Sequence, residues 1–150
     1  MGYIRLDYLR DACGDDDGLM AELVQIFKEQ ALALGPDLDS LLARADYDAL
    51  ARSAHKFRST ALSLGLDDVA DALKKIEVIG KKIFMAQPSS ATDDAARRLY
   101  LSQINGLTPA IDQWTDAHLD TDSLMRLIGL VKERVDAAVA EATQIVRYFY

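Results

Sequence analysis

Apolar residues recur at steps of three and four along almost the whole chain, and no run of β-branched and aromatic residues alternates with polar ones. This pattern predicts an all-α fold. A short helix is predicted over Leu6–Ala12; Cys13-Gly14-Asp15-Asp16-Asp17-Gly18 then breaks the pattern and offers acidic N-caps to the next helix. That helix is predicted from Leu19 to about Leu34, with an apolar stripe of Leu19, Leu23, Ile26, Phe27 and Leu34. Gly35-Pro36 is expected to stop it and to start another, since proline is tolerated in a first turn, with Leu38, Leu41, Leu42 and Ala45 as the apolar side. Asp46 to Asp48 reads as a corner or a bend. The next helix carries Leu50, Ala54, Phe57, Ala61 and Leu64 on one side and ends at Gly65, where a left-handed cap is easily adopted.

Asp67 and Asp68 lead into a helix through Val69, Leu73, Ile76 and Ile83, and Gln87-Pro88-Ser89-Ser90-Ala91 is the clearest loop. Thr92-Asp93-Asp94 has the composition of an N-cap with acids in the first turn, opening a helix that carries Leu99, Tyr100, Ile104, Leu107, Ile111 and Trp114. Pro109 lies inside this pattern, so the helix either kinks near Gly106 or restarts with Thr108 as cap. The last segment, from about Thr121 to Tyr150, sets Leu124, Ile128, Val131, Val135, Ala138, Ala142, Ile145 and Phe149 at alternating steps of four and three. Such a heptad-like seam suits packing against the preceding helix or, alternatively, a homodimer interface.

At 150 residues and half hydrophobic, the chain is long enough for one core. A formal charge of -7 argues against nucleic acid, whose phosphates are met by positively charged faces. The single cysteine, Cys13, permits no intramolecular disulfide. Together with the lack of an apolar stretch of signal or membrane-spanning length, it makes the cytoplasm the expected compartment.

The candidate chemistry centres on His55, one of two histidines. It lies roughly 140° around its helix from the centre of the apolar stripe and therefore faces outward. Its neighbours four residues either way are the small Ala51 and Ser59; Arg52 and Arg58 flank it at three residues, Lys56 is adjacent, and no Asp or Glu occurs between Leu50 and Leu66. Those cations disfavour an imidazolium, which keeps a nitrogen lone pair for attack. Such a ring suits a phosphoryl acceptor: Arg58 can offer charge-assisted hydrogen bonds to the phosphoryl oxygens, and Ser59 and Lys56 stand close in sequence to assist. A partner would bring the metal and the leaving group.

His55, with Phe57, Arg58, Thr60 and then Leu64-Gly65-Leu66, resembles the core pattern of the histidine-containing phosphotransfer (HPt) family, approximately His-x-Leu-Lys-Gly-Ser followed by a hydrophobic-Gly-Ala step. The upstream Gly14-Asp15-Asp16-Asp17, with Glu22-Leu23 and Phe27, is similar to that family's entry into its first bundle helix. Ser59 departs from the pattern, which usually has glycine there.

The resemblance covers about Leu6 to Trp114. It implies a four-helix up-down bundle, assigned to residues 1–118 with its short N-terminal helix, that exposes the histidine midway along one helix; the extra long C-terminal helix over 119–150 lies outside the usual family pattern and is expected to pack on the bundle or on a second chain. It also implies a phosphorelay intermediate without kinase activity of its own, which exchanges a phosphoryl group between His55 and an aspartate of a response-regulator receiver domain, with a hybrid histidine kinase as a further partner. This chain would bind no cofactor; Mg2+ is expected on the receiver. Arg52 and the outward Leu62 are the candidate docking contacts. The rival reading is an HPt-like interaction module that binds a receiver or kinase without accepting phosphate. His118, near a helix end, is expected to serve late carbonyls, and Asp15-Asp16-Asp17 to cap a helix rather than hold calcium.

Overall fold

The computed structural model of the chain describes residues 4–88 and 93–149. The described residues form α1 (Leu6–Cys13), α2 (Asp17–Ala43), α3 (Tyr47–Ser63), α4 (Asp67–Ala86), α5 (Asp94–Asn105), α6 (Pro109–Asp116) and α7 (Thr121–Phe149), with no strand among them. The expected Ser89–Ala91 loop and the Thr92 position fall outside the described residues, as does the side chain of Phe149.

Local chemistry sets the corners. Gly14 caps α1 in the left-handed region at φ 59°, and Asp16 Oδ1 accepts the Leu19 amide at 3.0 Å to start α2, the capping role expected of the acidic run. Asp46 does the same for α3 through the Ala49 amide, so Asp46–Asp48 is a corner. α3 ends in a Schellman motif: the Leu66 amide reaches the Ala61 carbonyl at 2.9 Å and the Gly65 amide the Leu62 carbonyl at 3.1 Å. Gly65 sits at φ +75°, and a Cβ there would lie 2.4 Å from Arg5 Cγ, so glycine is required for both conformation and space.

The bundle is a ring in which α2 packs on α3, α3 on α4, α4 on α7 and α7 on α2. Short connections make α2, α3 and α4 alternate in direction. α7 runs opposite to α2, because Lys132 pairs with Asp39 at 2.6 Å while Glu141 accepts the Ile4 amide at 3.2 Å near the start of the chain. Leu124, Ile128, Val131, Val135, Ala138, Ala142 and Ile145 are buried in the same core as Phe27, Leu50, Phe57, Leu73 and Ile76.

This corrects the expectation of an extra C-terminal helix and of a boundary after residue 118. α7 is the fourth wall of the bundle, and α5 and α6 are the additions, lying against α4. The seam positions from Leu124 to Ile145 are covered within the chain, by α2 and α4.

Two further expectations are corrected on α2. Gly35-Pro36 does not stop the helix, which runs on to Ala43. Proline leaves the Leu32 carbonyl without its helical donor, but Leu32 is 72% exposed, so water can serve that carbonyl, while buried Leu34 and Leu38 hold the turns around it. The buried face of the continuous helix is Met20, Val24, Phe27, Ala31, Leu34 and Leu38, a regular four-three alternation set by packing on both α3 and α7; Leu19 and Ile26 lie on the exposed side. At Pro109 the structure selects the restart: α5 ends at Asn105, and Thr108 is the N-cap of α6 with Pro109 at its first position. Lys82 ties α6 to α4 through Asp112 and Asp116, each at 2.7 Å.

Candidate functional site

α3 carries the site because its apolar stripe is complete: Leu50, Ala54, Phe57, Ala61 and Leu64 are all buried, which fixes the rotation of the helix. His55 is thereby turned out, its side chain 63% exposed, and tilted toward α4. Close approach of the two helices makes this side polar but tight. A Cβ at Gly80 would lie 3.0 Å from the Tyr47 carbonyl oxygen and 3.3 Å from Ala51 Cβ, so only glycine lets α3 and α4 come this near without a shift.

The neighbourhood differs from the wholly basic one expected. α4 presents Glu77, buried, whose Oε1 lies 3.0 Å from His55 Nδ1. Its other oxygen accepts a hydrogen bond from Lys81, one turn on and also buried, and the Lys81 ammonium donates a second bond to Gln103 Oε1 of α5. Burial pushes the Glu77 carboxyl up, but the hydrogen bonds from Lys81 and His55 outweigh it and hold the group below the ordinary carboxylate value.

An ionised carboxylate has no proton to give, so Nδ1 carries the hydrogen in this pair. In the neutral ring the lone pair is then on Nε2. His55 opens into a cleft of about 380 Å³ lined by Ala51, Arg52, Lys81, Leu99, Tyr100 and Gln103. The Tyr100 hydroxyl donates to Asp48, and burial with that bond pushes the phenol well above its ordinary value, which leaves it a donor.

The residues singled out beside His55 do not all gather there. Arg58 is half-buried on the α4 side, near enough to Lys74 that the two cations repel; burial pushes the Lys74 ammonium down, and Arg58 and Lys81 add to that against the pull of Glu77. Ser59 is exposed, and its carbonyl accepts the Ser63 hydroxyl at 3.0 Å. Lys56 is turned to the other side of α3, into the groove against α2 with Gln30, Asp37, Ser53 and Phe57, because one step along a helix is a turn of about 100°. Arg52 pairs with Asp48 at 3.3 Å and borders the His55 cleft, and Leu62 is 46% exposed. Thr60 is engaged with Gln30 of α2 at 2.9 Å. His118 Nδ1 meets the Trp114 carbonyl at 2.6 Å, and its ring stacks on Trp114 at 3.9 Å.

Glu77, Lys81, Lys74 and Gln103 were not singled out from sequence. One signal was available: Glu77 and Lys81 stand at a four-residue step inside Ile76-Glu77-Val78-Ile79-Gly80-Lys81, where every other side is apolar. Charges that must be buried on such a helix need each other.

An exposed imidazole whose Nδ1 is held by a buried acid, with cations at its margin, is equipped to act as a nucleophile toward an anionic group. The Hpt domain profile matches residues 22–140, and the chain belongs to the Hpt domain family. Hpt domains are the histidine-bearing phosphotransfer modules of phosphorelays, where they interact with receiver domains and histidine kinases. The match includes most of α7, in agreement with its place in the core, and leaves α1 outside. No characterised protein and no solved structure gave a significant match. Among the described residues no helix is long and apolar enough to cross a membrane.

Proposed function

We propose that this chain accepts a phosphoryl group on His55 Nε2 from a receiver-domain aspartyl phosphate and passes it to a second receiver. The observation that carries this reading is the 3.0 Å contact between His55 Nδ1 and the buried Glu77, on a ring whose side chain is 63% exposed. In the transfer the Nε2 lone pair attacks phosphorus, the bond from phosphorus to the aspartyl oxygen breaks, and the carboxylate leaves with the electron pair. The Nδ1 proton stays in the bond to Glu77, whose charge offsets the positive charge that grows on the ring. Arg58, one turn along α3 from His55, and Lys74 on α4 are the cations offered to the phosphoryl oxygens, and Ser59 is small enough to let a receiver approach. Mg2+ would be held by the receiver and would supply charge stabilisation there. Arg52 and Leu62 border the docking face.

Incubation with a phosphorylated receiver and Mg2+ is expected to give an acid-labile, base-stable phosphoprotein, and His55→Gln is expected to abolish it. Stable receiver binding with no label on wild-type protein would instead support an interaction module; labelling that persists in His55→Gln would remove the assignment.

A further inference from the structure

Two opposite charges inside a helical bundle carry a desolvation cost that apolar residues of the same size would avoid. Glu77 is 2% exposed and Lys81 6%. Both are fully engaged: Glu77 with His55 and Lys81, and Lys81 with Glu77 and Gln103 while its ammonium lies 5.3 Å from the Tyr100 ring centroid. The network reaches solvent at His55 and at Gln103, which are both exposed, while the two charges between them are covered.

A carboxylate alone at this distance from Nδ1 would have two opposed effects. It would fix the hydrogen on Nδ1, which favours attack from Nε2. It would also favour the doubly protonated ring, which has no lone pair to attack with. The other charges around the site are Arg52 and Arg58 on α3, Asp48 on the same helix with its bonded Tyr100 phenol on α5, and Lys74 on α4. Arg52 is 67% exposed and paired with Asp48, while Arg58 and Lys74 lie at the solvent margin. Lys81 is the buried cation in contact with Glu77.

We infer that Lys81 is a positioning residue for phosphoryl transfer: its buried ammonium, steadied by Gln103 of α5, compensates Glu77 so that the carboxylate orients the His55 ring without holding it as an imidazolium. This rests on His55 being the acceptor. It also gives α5, which lies outside the four-helix ring, a part in the chemistry.

The test compares full-length wild type with Lys81→Gln, which keeps a donor toward Glu77 but no charge. Phosphoryl acceptance from a phosphorylated receiver is measured across pH. The profile of the variant is expected to move to higher pH by about one unit, so that acceptance on its acidic limb falls about tenfold and recovers as pH rises. Nitrogen-15 spectra of the His55 ring at neutral pH, taken without any receiver, should move from the pattern of one protonated nitrogen toward that of two. Glu77→Gln/Lys81→Gln, neutral at both positions, should not show this displacement. Lys81→Met carries the same prediction should Lys81→Gln not fold.

Ring spectra and profile that coincide with wild type, or a loss of acceptance equal at every pH, would overturn the inference. If wild type takes no label while the ring spectra of Lys81→Gln move as expected, the acceptor reading fails and the compensation stands.

Discussion

Replacing Glu77 with leucine isolates the energetics on which the site rests. The substitution keeps a comparable volume but leaves the Lys81 ammonium buried, its side chain 7% exposed, with Gln103 as remaining partner. Removing one member of a buried pair costs about 3–5 kcal/mol, because the other charge loses its counter-ion but not its desolvation. Total stabilities of about 5–15 kcal/mol make this a large fraction of the whole. At roughly 2–4 °C per kcal/mol for a chain of this size, the melting temperature should fall by about 6–20 °C. Glu77→Leu/Lys81→Leu removes both charges and should recover most of the loss. Urea unfolding followed by circular dichroism, with the slope checked for constancy, measures all three proteins. If Glu77→Leu costs less than about 1 kcal/mol, the range of an exposed ion pair, the pair is not buried as described and the reasoning fails.

Three further outcomes follow from the same geometry. Because the Glu77 carboxyl is held below its ordinary value of 4.5, its contribution to stability is complete above that value and is lost as pH falls through the depressed one; wild type should therefore lose more stability than Glu77→Gln between about pH 6 and about pH 3 in urea titrations. Gly80→Leu gains helix propensity of somewhat under about 1 kcal/mol, yet forces α3 from α4 where a Cβ would already lie 3.0 Å from the Tyr47 oxygen. A net loss of about 1–3 kcal/mol and a weakened His55–Glu77 bond, read from the ring Nδ1–H signal, are expected. Gly65→Ala meets both a positive φ and the Arg5 side chain, and should cost at least about 1 kcal/mol by urea melt, with Gly65→Asn less damaging to the turn itself.

The helical class, the α3 stripe and the outward face of His55 were legible because period 3.6 leaves little freedom once five apolar positions agree. The identity of the fourth bundle helix was not. The α7 seam is satisfied by any apolar partner, and only the fold shows that α2 and α4 provide it. Pro36 read as a break because local propensity opposes proline in a helix, whereas packing of Leu34 and Leu38 overrides it.

At the site, spacing predicts how neighbours are arranged around α3, and Arg58 lies half-buried toward α4 while Ser59 is exposed. Groups arriving from other helices have no fixed spacing from His55: the Glu77–Lys81 step marks a buried pair on α4 but not its contact with His55, and Gln103 has no such sign. Lys56 shows the reverse error: adjacency in sequence placed it beside His55, and the helical turn takes it into the α2 groove.

In the proposed function, Glu77 holds the hydrogen on Nδ1 and leaves Nε2 to take the phosphoryl group. Nitrogen–phosphorus coupling in ring-labelled, phosphorylated protein measures this directly. The phosphorus should couple to Nε2 of His55, with Nδ1 still bearing its hydrogen. Phosphorus on Nδ1, or on another side chain, would contradict it.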